Sequence, residues 1–126
     1  MKTAKYASIL IVEPDVQFRE ELHNFLLAAG YEMVTATGTL TIILDKIDLS
    51  AYDVILSDVE SLWDSDFESA RFFAKMNPKT KIILMIEAED QWIWRQCSVQ
   101  TARASFLIKS TFARDLLYLL ANRAEP

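Results

Sequence analysis

Five short apolar runs alternate with stretches of helical spacing along the 126 residues. Runs such as Ile9-Leu10-Ile11-Val12, Val54-Ile55-Leu56 and Ile82-Ile83-Leu84-Met85-Ile86 are continuously apolar, with no polar residue at every second position. A strand of that kind is buried on both faces, which is the condition of strands in a parallel sheet. Parallel neighbours need long crossovers, and the stretches of helical spacing supply them. The expected class is therefore α/β, with helices on both sides of one sheet. The length suits a single domain of the commonest size, roughly 100 to 150 residues. Residues 1–126 read as that domain, with no linker, repeat or low-complexity tract.

The pattern predicts strands at about 7–12, 31–36, 52–57, 81–86 and 104–108. The first helix carries Phe18, Leu22, Phe25, Leu26 and Ala29 on one stripe and stops at Gly30. A second carries Leu40, Ile43, Leu44 and Ile47. A third spans about 67–76 and closes at Asn77-Pro78, and a fourth spans about 90–101. The last presents Phe112, Leu116, Leu119 and Leu120, with Ser110 or Thr111 as its expected cap. The second strand is the most polar and belongs at an edge, whereas the first, third and fourth belong in the centre. A flavodoxin-like (βα)5 three-layer sandwich with sheet order 2-1-3-4-5 satisfies these constraints. Right-handed crossovers then bring every strand's C-terminal end to one side. Glu13, Asp15, Asp58, Glu87 and Lys109, the charges that end the apolar runs, collect along that edge.

Composition excludes several function classes. A net charge of -5 argues against a broad footprint on nucleic acid phosphates. The apolar runs are far shorter than the roughly 20 residues of a membrane-spanning helix, and the N-terminus lacks the pattern of a secretory signal. Cys97 is the only cysteine, which leaves no internal disulfide and makes a reducing, cytoplasmic setting the default. His23 is the only histidine, so chemistry that needs two imidazoles is excluded.

Clustered carboxylates need a counter-charge, because a close pair costs on the order of 3 kcal/mol at an effective dielectric near 20. Lys109 is one candidate and a hard, oxygen-liganded cation such as Mg²⁺ is another. A carboxylate held between a metal ion and a lysine is also a candidate nucleophile toward a phosphoryl group.

With these residues in place, the chain resembles the receiver domains of two-component response regulators, the CheY-like superfamily, over essentially its whole length. Ile9-Leu10-Ile11-Val12-Glu13 with Arg19 resembles the first block of such domains, Tyr52-Asp53-Val54-Ile55-Leu56-Ser57-Asp58 the second, and Phe106-Leu107-Ile108-Lys109 the last. The resemblance implies Asp58 as phosphoacceptor, Lys109 as the phosphoryl-sensing lysine, Glu87 at the switch position and Phe106 at the aromatic switch position. It implies a Mg²⁺ site built from Glu13, Asp58 and the backbone carbonyl of Glu60, with Asp15 as a further candidate ligand. Two departures stand out. Pro14 occupies the place of the second adjacent acid and has no side-chain oxygen. Glu87 stands where a Ser or Thr hydroxyl is usual, and an ionised carboxylate repels a phosphoryl group. An ion pair between Glu87 and Lys109 is the simplest expectation for that substitution. Ser110 replaces the usual proline, so no cis peptide is expected there.

Trp92, Arg95 and Val99 on the fourth helix, with Tyr118 on the last, form the expected partner face, since an exposed Trp beside an Arg is an interface composition. The function implied by the resemblance is a receiver in a His-Asp phosphorelay, served by a sensor histidine kinase or phosphotransfer protein, with a homodimer across the face of the fourth and fifth helices. Its alternative is a degenerate receiver, a protein-interaction module independent of phosphorylation. Neither is an enzyme beyond phosphorylation and dephosphorylation of its own aspartate, and neither binds nucleic acid or membrane directly.

Overall fold

A computed structural model describes residues 6–38, 51–58, 79–90 and 105–121. Strands β1 (Ser8–Val12), β2 (Met33–Thr37), β3 (Val54–Asp58), β4 (Lys81–Ile86) and β5 (Ser105–Ile108) form one sheet in the order β2-β1-β3-β4-β5. Every neighbouring pair is parallel. The order and the parallel pairing are those expected from the apolar runs. Edge strand β2 is partly exposed along its length, whereas β3 is buried throughout.

Helix α1 (Val16–Ala28) begins where Asp15, in extended conformation, accepts hydrogen bonds from the Gln17 and Phe18 amides. That side chain satisfies two of the helix's otherwise unpaired amide donors. The helix ends as Gly30 takes a φ of 104°, a left-handed turn that residues with a Cβ rarely adopt. Helix α2 (Phe112–Ala121) is the last of the helices expected from the sequence. It follows directly from a 3-10 turn over Lys109–Thr111. The Thr111 hydroxyl is buried without a hydrogen-bond partner, so it does not cap α2 as expected. The turn's own backbone carries the chain into the helix.

Alternation along the strands decides which side chains meet the helices. Ile9, Ile11, Val54, Leu56, Ile83, Met85 and Leu107 form one cluster with Leu22 and Leu26 of α1 and Leu116 and Leu120 of α2. Leu10, Val12, Ile55 and Leu84 on the other face are equally buried. At about 25 cal/mol per Å² of apolar surface, a fully buried Leu or Ile contributes roughly 1.5–3 kcal/mol, so this sheet is the stable frame for its edge. Lys81 reinforces the opposite edge by donating to the Leu119 carbonyl of α2 at 2.6 Å. The second, third and fourth predicted helices fall wholly or mainly outside the described residues. Among the described residues, no helix is long and apolar enough to cross a membrane.

Candidate functional site

The period of two that builds the core also builds the site. Glu13 follows Ile11 at that spacing, Asp58 follows Leu56, and Lys109 follows Leu107. All three therefore continue the helix-facing side at the C-terminal ends of β1, β3 and β5. Their side chains meet: the Lys109 Nζ lies 2.6 Å from Asp58 Oδ1 and 3.0 Å from Glu13 Oε1. The Glu13 side chain is 2% exposed, that of Asp58 7% and that of Lys109 14%, so solvent screens the three charges little.

Each residue is held from behind. Glu13 Oε2 accepts from the Asp15 amide at 3.0 Å. The Glu13 amide donates to the Thr37 carbonyl at 2.9 Å, which carries the β1–β2 ladder one residue further. Arg19 of α1 donates from Nη1 to the Glu13 carbonyl at 2.8 Å. It reaches that carbonyl across Gly38, where a Cβ would lie 2.8 Å from Nη1, so a residue without a side chain leaves room for the guanidinium. Lys109 also sits over the Phe18 ring, 5.5 Å from its centroid.

The electrostatics follow from burial and neighbours. Burial pushes the Glu13 carboxyl above its ordinary value of 4.5, against the Asp15 amide and Lys109, which pull it down, while Asp58 adds to the upward push. Burial pulls the Lys109 ammonium down, but Asp58 and then Glu13 outweigh it and hold the group above its ordinary 10.5. Glu13 Oε1 is close to the ammonium yet has no aligned hydrogen bond. Lys109 thus bridges the two carboxylates, and its charge-assisted contact with Asp58 is the shorter.

One expectation is corrected by the ion pairs. Glu87 is exposed, and the partners of Lys109 are Glu13 and Asp58, so no Glu87–Lys109 pair forms. The reason is local: β4 ends at Ile86, and the Glu87 carbonyl accepts from the Asp90 amide as a 3-10 turn over Ala88–Asp90 begins. The turn diverts Glu87 from the line of Met85. Asp15, the further candidate ligand, is exposed, and its Oδ1 caps α1. Phe106 is half-buried on β5, opposite Leu84 in the register. Tyr118 is exposed on α2 beside the exposed Leu117, whereas Glu60, Trp92, Arg95 and Val99 lie outside the described residues. No cis peptide occurs among the described residues.

A scan against protein-family models and a search of curated proteins found no match. Solved structures do match. The isolated REC domain of RcsB from Salmonella enterica serovar Typhimurium is 17% identical, with 91% of this chain and 85% of that chain covered and a TM-score of 0.64. The receiver domain of the histidine kinase CKI1 from Arabidopsis thaliana, complexed with Mg²⁺ and BeF3⁻, is 18% identical over 92% and 91% of the two chains, with a TM-score of 0.62. The chain has the CheY-like receiver fold. Full-length FixJ from B. japonicum is 22% identical over 91% of this chain, with a TM-score of 0.73, and this chain spans 56% of that one.

A divalent cation at the edge of this receiver fold has two carboxylates to bind, Glu13 and Asp58. Both offer hard oxygen donors, and Glu13 Oε1 is buried without an aligned donor. Mg²⁺ is commonly held by one or two carboxylates with the remaining positions taken by water, so the donor set fits it. The hold is thin, because Pro14 contributes no side-chain oxygen and Lys109 already neutralises one of the two charges. Among the described residues, no three His, Cys, Asp or Glu side chains converge as a ligand set.

Proposed function

We propose that this chain is a signalling receiver in a His-Asp phosphorelay and accepts a phosphoryl group on Asp58. One observation carries the reading: a buried aspartate at the end of central strand β3 is held at 2.6 Å by a lysine presented from β5. The carboxylate is fixed at an open sheet edge, with the cation that balances transferred charge already beside it. In the transfer, an Asp58 oxygen forms a P–O bond as the P–N bond of a donor phosphohistidine breaks, and the electron pair of that bond returns to the imidazole nitrogen. Lys109 then pairs with the phosphoryl oxygens, and Glu13 keeps the ammonium in the site as Asp58 is esterified. Glu13 and Asp58 would hold Mg²⁺, which when bound would supply Lewis-acid neutralisation of the phosphoryl charge.

The donor in this reading is a cytoplasmic sensor histidine kinase or phosphotransfer protein. The exposed Leu117 and Tyr118 of α2 belong to the face assigned to a partner or a second copy. The chemistry is confined to the chain's own aspartate, with no turnover of a second substrate.

A degenerate receiver is the second reading, and a specific observation favours it. Pro14 takes the place of an acid, and Asp15 next to it is committed to capping α1. Incubation with Mg²⁺ and a small phosphodonor, followed by intact mass, separates the two. The phosphoacceptor reading expects one added phosphoryl group in the wild type and none in Asp58→Asn. An unchanged wild-type mass at saturating Mg²⁺ leaves the interaction module.

A further inference from the structure

We infer that Phe18 is a positioning residue for Lys109, the third wall of a cage whose other two walls are the carboxylates of Glu13 and Asp58. The inference deepens the phosphoacceptor reading, although the placement it describes exists before any phosphoryl group arrives. Two carboxylates on an ammonium leave it free to swing about the line between them. At 5.5 Å from the ring centroid, the ammonium is within the range at which the negative face of an aromatic ring attracts a cation, and this site is poorly screened by solvent.

The ring is itself held. Phe112 packs edge-on against Phe18, with centroids 5.5 Å apart at 84°, and against Phe25 at 5.1 Å and 78°. Such T-shaped contacts suit the ring quadrupole. Phe112 lies three residues after Lys109, beyond the 3-10 turn, so one short segment puts a cation and an aromatic edge on the same ring of α1. Phe18 thereby fixes the turn that carries the lysine as well as the lysine's end. The ring restrains the ammonium without adding charge to a cluster that already holds two carboxylates. In the phosphorylated state it keeps Lys109 directed at the oxygens on Asp58.

The test uses Phe18→Leu, which keeps apolar bulk without a π face, and Phe18→Tyr, which restores the face. In the full chain without ligand, the side-chain methylene protons nearest the Lys109 ammonium should show an upfield ring-current shift by NMR. That shift is lost in Phe18→Leu and retained in Phe18→Tyr, with Lys109→Met identifying the resonance. In the presence of Mg²⁺ and trifluoroberyllate, Phe18→Leu should bind roughly 3- to 10-fold more weakly than wild type, the change a cation–π contact of this kind is worth, and Phe18→Tyr should recover most of the loss. A Lys109 resonance with no ring-current shift in the wild type, or identical in all three proteins, overturns the inference. So does wild-type-like trifluoroberyllate binding by Phe18→Leu. Failure of the wild type to bind trifluoroberyllate overturns the phosphoacceptor reading instead, and the NMR comparison still decides the placement of Lys109.

Discussion

Glu13 is the residue on which the chemistry of this edge turns, because it is the buried member of the cluster without an aligned hydrogen bond on one oxygen. Its folded-state value is raised above 4.5, so between 4.5 and that raised value the native protein holds a proton that the unfolded chain has released. Stability must fall as pH rises through this window, since the native state binds more protons there. In metal-free buffer, urea midpoints collected across about pH 4 to 8 should decline more steeply for the wild type than for Glu13→Gln, which has no carboxyl to ionise. Parallel curves for the two proteins would show that Lys109 fully offsets the cost of burial. Lys109 acts in a different range. Its raised value stabilises the native state at all pH values below 10.5, and that contribution is lost as pH climbs through the folded value.

Helix α1 shows how an element can serve fold and site with the same few residues. Its first turns supply the cap at Asp15, the ring at Phe18 and the guanidinium at Arg19, while Leu22 and Leu26 fix the helix to the sheet. The stripe of Phe18, Leu22, Phe25 and Leu26 was legible from spacing alone. That Phe18 also underlies a lysine was not, because Lys109 lies 91 residues away and the two meet only through the sheet order. Asp15 was legible as an acid at a strand's end, but as a ligand or a cap only its backbone conformation decides. Asp15→Ala should therefore cost about 1 kcal/mol of stability, the usual value of an N-cap, and leave binding of Mg²⁺ and trifluoroberyllate within about twofold. Calorimetric unfolding together with a Mg²⁺ titration checks both halves, and a tenfold or greater loss of metal affinity would return Asp15 to the ligand set.

At the scale of the whole molecule, the sheet is what made the sequence readable. Continuous apolar runs mark parallel strands, their order follows from which run is most polar, and period-two spacing carries Glu13, Asp58 and Lys109 to one edge. Glu87 obeyed the same spacing and still left the cluster: the chain beyond β4 passes at once into the turn closed by the Asp90 amide, whereas Glu13, just past β1, is kept in the ladder by the Thr37 carbonyl. The Glu13–Lys109–Asp58 cluster carries two negative charges and one positive, so its net charge of -1 is modest beside that of a site with a second acid. Pro14 is exposed, and replacing it disturbs no core packing. Pro14→Asp should lower the stability of the metal-free protein, since a third carboxylate then shares one ammonium. It should also raise Mg²⁺ affinity by about tenfold, because a hard cation gains an anionic oxygen at a site with two. At equal, saturating Mg²⁺, that gain corresponds to about 1.4 kcal/mol of added stabilisation by linkage. Thermal unfolding of wild type and Pro14→Asp with chelator and across a Mg²⁺ series measures both effects on one molecule. If added Mg²⁺ stabilises the two proteins equally, the missing acid is not what limits the metal, and the occupancy of this edge by Lys109 becomes the constraint that remains.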